Sequence, residues 1–87
     1  MIKTGDTIVY KADESIFFYW LCDIRNGEYI FFDWFANPRK ATLADYWKVS
    51  KQWFDTKEKE GAIERYDSLP LDKYGVEFEA QAIKRNN

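Results

Sequence analysis

The chain has 87 residues, 46% hydrophobic and 20% aromatic, with a net charge of −2 and interspersed signs: residues 1–50 carry six Lys/Arg against seven Asp/Glu, and residues 51–87 seven against eight. A chain this short builds one core, so a single domain over residues 1–87 is expected, and its seventeen aromatic side chains, burying roughly 150–250 Å² each, are enough to stabilise it. The mixed surface weighs against nucleic acid and anionic membranes, which need a concentrated positive patch. Cys22 is alone, which excludes an internal disulfide, and the absence of histidine removes Ser/His and Cys/His nucleophile pairs and imidazole metal ligands.

The opening residues, Met1 to Lys11, interrupt any apolar run with charges and a glycine. They do not read as a signal peptide, and no stretch approaches the ~18 apolar residues of a spanning helix. A cytoplasmic protein is expected. Thr7–Lys11 predicts a short strand with Ile8 and Tyr10 on one face and Val9 on the other, entered through a Gly5-Asp6 turn. A Gly-Asp pair running into an apolar strand is similar to the start of many SH3-like small barrels, and the resemblance implies a small β-barrel as the alternative architecture.

Ser15 to Ala36 predicts a long β-hairpin. Asn26-Gly27 separates two aromatic and β-branched runs, and these two residues supply the positive φ angles that a type I′ turn requires. A two-residue turn sets Arg25 opposite Glu28, Asp23 opposite Ile30, Leu21 opposite Phe32 and Tyr19 opposite Trp34 on one side. The other side then carries Ile24 with Tyr29, Cys22 with Phe31, Trp20 with Asp33 and Phe18 with Phe35. Both faces are apolar, so both need a cover.

Asn37-Pro38 ends the third strand, because proline cannot donate to the ladder. Over residues 43–55 a helix and a strand both find support. The helix fits better: Thr42 is a good N-cap with Asp45 at N3, and Leu43, Tyr46, Trp47, Ser50, Trp53 and Phe54 form one stripe interrupted only by Ser50. Gly61 suits a position just past the helix end. Tyr74, Val76, Phe78, Ala80 and Ala82 alternate with polar residues and Gly75, which predicts a C-terminal strand, although Glu, Ala and Gln also favour a helix here.

The expected fold is therefore α+β: a small antiparallel sheet, made of a three-stranded meander plus a C-terminal strand, with one packed helix. No catalytic residue, cofactor site or metal site is expected. Asp23 and Asp33 interrupt apolar strands but are read as paired with nearby cations, and Cys22 as a small core residue. The functional expectation is a non-enzymatic module that binds a protein partner or forms a homodimer, by analogy with the small inhibitors that phages encode. Tyr19, Leu21, Phe32 and Trp34 are the expected contact residues, with Arg25 and Glu28 at the rim. Single-stranded nucleic acid stacked on the same aromatics is the alternative.

Overall fold

The computed structural model describes residues 1–85. In chain order it contains β1 (Thr7–Ala12), β2 (Ser15–Arg25), β3 (Glu28–Asp33), single 3₁₀ turns at Pro38–Lys40 and Leu43–Asp45, β4 (Tyr46–Ser50), α1 (Lys51–Lys59), β5 (Ile63–Tyr66) and α2 (Leu71–Arg85). The strands form one antiparallel sheet in the order β4-β3-β2-β1-β5. The α+β class holds. The barrel does not, because β4 and β5 each pair on one side only and the sheet stays open.

The hairpin turn forms as its sequence requires, with φ of 49° at Asn26 and 77° at Gly27, and the expected register holds from Arg25↔Glu28 to Asp23↔Ile30. It then shifts. A β-bulge at Cys22 sets Leu21 opposite Phe31, Trp20 opposite Phe32 and Tyr19 opposite Asp33. One extra residue in one strand reverses the sides of everything beyond it. Leu21 and Phe32, expected side by side, therefore lie on opposite faces of the sheet.

The segment after Pro38 is a correction to the expected long helix. The Thr42 N–H donates to the Asp45 carboxylate at 2.8 Å, but that local cap encloses a single 3₁₀ turn. Tyr46–Ser50 then pairs with β3, and the helix starts only at Lys51, where the Ser50 hydroxyl accepts from the Trp53 N–H at 3.1 Å. The residue that interrupted the apolar stripe is the true N-cap. Gly61, at φ 82°, ends α1 as expected.

The C-terminal segment is a second correction: Leu71–Arg85 is helical, kinked at Tyr74, and the strand that extends the sheet is Ile63–Tyr66, paired with β1. Tyr74, Phe78, Gln81 and Arg85 recur at helical spacing and all touch the sheet or the segment after β3. Tertiary packing prefers that stripe to the period-two one.

Two cores result. On the inner face Phe54 of α1 packs with Ile2, Ile8, Leu21, Tyr29, Phe31 and Ile63. On the outer face Tyr74 and Phe78 of α2 pack with Val9 and Phe18, supported by Trp34, Phe35 and Tyr66. Among the described residues no helix is long and apolar enough to cross a membrane.

Candidate functional site: an aromatic tract on the inner face

The inner face is only partly closed by α1. Beyond the buried core, Tyr10 from β1, Phe17 and Tyr19 from β2, Trp47 from β4 and Trp53 from α1 form a continuous tract of rings. Phe17 is 36% exposed and the other four are half-buried. Tyr10 stacks on Trp47 with centroids 5.1 Å apart. Trp53 meets Tyr10 edge-on at 5.8 Å and Trp47 edge-on at 5.3 Å. Tyr19 lies 4.9 Å from Trp47, and Phe17 continues the tract at 6.1 Å from Tyr10 and 6.5 Å from Tyr19.

Curvature assembles this tract. On a flat sheet β1 and β4 lie three strand spacings apart, about 14 Å, yet rings from both touch. Twist and the bulge in β2 curl the sheet so that side chains on its concave face converge. The rings already fill one another's van der Waals shells. An aromatic cage for a cation needs an empty gap between ring faces, and here the three rings Tyr10, Trp47 and Trp53 leave none. The tract offers a surface, not a pocket.

Its electrostatic surroundings are neutralised in place. Lys57 sits over the Trp53 ring, 5.8 Å from its centroid, and bridges to Glu60 at 3.3 Å. Asp33, paired opposite Tyr19, accepts from Arg85 at 2.7 Å. Burial, and then the Asp33 charge, push the Tyr19 hydroxyl above its ordinary pKa, so it remains a neutral hydrogen-bonding phenol.

Of the six residues expected to form one contact surface, only Tyr19 belongs to this tract. Leu21 is buried on the inner face and Phe32 on the outer. Trp34 packs under α2 with Phe78. Arg25 pairs with Asp23 and Glu28 lies 4.0 Å from Lys48, both on the outer side of the hairpin. The bulge separates the six. Tyr10, Phe17, Trp47 and Trp53 were missed because they come from four elements whose convergence needs the curl, although the Tyr10/Phe17 pairing across the Asp13-Glu14 turn was open to hairpin reasoning.

A second cluster surrounds Glu64. Its carboxylate accepts from Lys11 Nζ at 2.8 Å, Tyr74 Oη at 2.8 Å, Lys73 Nζ at 3.2 Å and the Tyr66 hydroxyl. Burial pushes this carboxyl upward, but the four donors together outweigh it and hold the pKa at about 2. Such a group carries no proton near neutrality, and both tyrosines are pushed upward, by burial first and then by the Glu64 hydrogen bond. The cluster ties α2 to β5 and β1, and it is not arranged for acid–base chemistry. Asp23 and Asp33 pair with Arg25 and Arg85. Among the described residues no group of three potential ligands could hold a metal ion.

No protein-family model, curated protein or solved structure gives a significant match to this chain.

Proposed function

We propose that this chain is a non-enzymatic protein-interaction module that engages its partner through the inner-face tract, as a small inhibitor or regulator does. The supporting observation is the continuous, half-exposed run of Tyr10, Phe17, Tyr19, Trp47 and Trp53. Tyr and Trp anchors in a surface ringed by already paired charges have the composition of a binding hot spot. A cytoplasmic setting is part of this proposal.

The test compares affinity capture by the wild-type chain with capture by Phe17→Ala and Trp53→Ala, at low and high salt. The expected result is one stoichiometric protein that persists at high salt and is lost with either variant, while circular dichroism shows the fold intact. Nucleic acid recovered only at low salt would replace this reading with base stacking on the tract, because phosphate contacts weaken steeply with salt. A partner unaffected by both variants would remove the tract from the function.

A further inference from the structure

We propose that the free edge of β4 is a strand-addition site, where an extended segment of a partner protein pairs with Tyr46–Ser50 and becomes a sixth strand of the sheet. The inference rests on the inner-tract reading for the side chains that this segment lays on the rings, and it names the form in which the partner arrives.

The backbone supplies the recognition. Lys51 N–H donates to the Gly27 carbonyl at 3.0 Å, which turns Lys51 toward the β3 side. Peptide groups alternate along a strand, so Val49 and Trp47 also face β3, while Lys48 directs its N–H and C=O away from the sheet. Tyr46 and Ser50 share the direction of Lys48. The Tyr46 N–H donates to the Leu43 carbonyl, and the Ser50 carbonyl sits at the N-cap of α1, where it accepts a helical bond. That leaves, in order, the Tyr46 C=O, the Lys48 N–H, the Lys48 C=O and the Ser50 N–H, none of them bonded among the described residues. A row that alternates acceptor and donor along an edge is matched by another extended backbone. A helix satisfies its peptide groups internally and cannot supply the match.

The opposite edge of the sheet is not equivalent. On β5 the Ala62 carbonyl accepts from Lys11 N–H at 2.8 Å, so Ile63 and Arg65 carry the outward groups. Ile63 is only 2% exposed, and the Arg65 guanidinium is held by Glu58 of α1 at 3.2 Å. β4 has neither proline nor bulge across its five residues, two devices that commonly blunt an edge. Its one charge, Lys48, leans back toward Glu28 on β3, 4.0 Å away. An added strand alternates its side chains between the two faces. On the inner face it meets Trp47 and Val49, both half-buried, and on the outer face Tyr46, 44% exposed, and Leu43, 91%. Both sides favour apolar residues in the incoming segment.

The test selects binders to the whole chain from a library of random linear peptides and follows amide hydrogen exchange with one selected peptide bound. The Lys48 and Ser50 amides are expected to exchange about tenfold or more slowly in the complex, and the Arg65 amide is expected not to change. Lys48→Pro removes the outward N–H and leaves the bonds to β3 in place, which protection of the Trp47 and Val49 amides verifies. It is expected to weaken the peptide about tenfold or more, whereas Lys48→Ala, which keeps the N–H, is not. Should Lys48→Pro fail to fold, exchange in the wild-type complex decides alone. Binding that survives Phe17→Ala and Trp53→Ala but not Lys48→Pro supports the edge and overturns the tract reading. Binding lost with the tract variants, with no protection at Lys48, overturns the edge and leaves the tract. A library that yields no binder, binding indifferent to a folded Lys48→Pro, or protection at Arg65 instead overturns the proposal. So does Lys48 protection that rises with protein concentration in the absence of peptide, which would make the occupant a second copy.

Discussion

Tyr10 and Trp47 stack with ring centroids 5.1 Å apart although they belong to β1 and β4, which are separated in the sheet by β2 and β3. That contact measures how far the sheet curls, and Trp53 closes over both rings from α1. Curl without closure produces the exposed tract: a closed barrel would bury these rings, and a flat sheet would scatter them.

Variants in the tract are expected to cost less stability the more exposed the ring. Phe17→Ala is expected to cost less than about 1 kcal/mol of stability, because the ring is already partly in water. By contrast, Phe54→Ala, at 1% exposure between Tyr29 and Phe31, is expected to cost about 3–5 kcal/mol. For a domain of this size that is a large part of the total. Urea unfolding of the two variants beside wild type checks the contrast. Equal costs would show that Phe17 is as much core as Phe54.

Glu64 makes stability depend on acid pH with a definite sign. Its folded pKa, about 2, lies below the ordinary 4.5, so its contribution is present in full above about pH 4.5 and is lost as pH falls toward 2. Glu64→Gln is expected to lower stability by about 1–3 kcal/mol at pH 7, with the deficit shrinking between pH 4.5 and 2. A deficit constant over that range would show that the negative charge on Glu64 contributes nothing.

Trp34 packs edge-on against Phe78 of α2. Its indole Nε1 is buried without a hydrogen-bond partner, so Trp34→Phe, which removes the unpaired donor and keeps a ring against Phe78, is expected to shift stability by less than about 1 kcal/mol. Trp34→Ala leaves a cavity under the helix and is expected to cost about 2–4 kcal/mol. Thermal melts of both variants decide this, and capture of a partner by the inner tract is expected to survive in Trp34→Phe.

Cys22 is expected to be a slow thiol. Burial first, and then the neighbouring Asp23 charge, push its pKa above the ordinary 9.0, and its Sγ–H donates to the Ile30 carbonyl at 3.2 Å. Since the thiolate is the reactive form, reaction with an aromatic disulfide at pH 8 in the folded protein is expected to be about tenfold or more slower than in urea. Equal rates would place the bulge in solvent.

Elements with local causes were legible in the amino-acid order. Asn26-Gly27 fixed the hairpin and its first three residue pairs, and Gly61 ended α1. Tertiary structure alone decided the rest, because each remaining choice balanced local options of nearly equal energy. Residues 43–55 could cap a helix at Thr42 or at Ser50, and pairing of β4 with β3 chose Ser50. Residues 71–85 carried both a strand and a helix period, and the seat for Tyr74 and Phe78 on Phe18 chose the helix. The one-residue bulge at Cys22 left no mark in the apolar pattern, since both faces of the hairpin were already apolar. It nonetheless decided which aromatics became core and which remained at the surface.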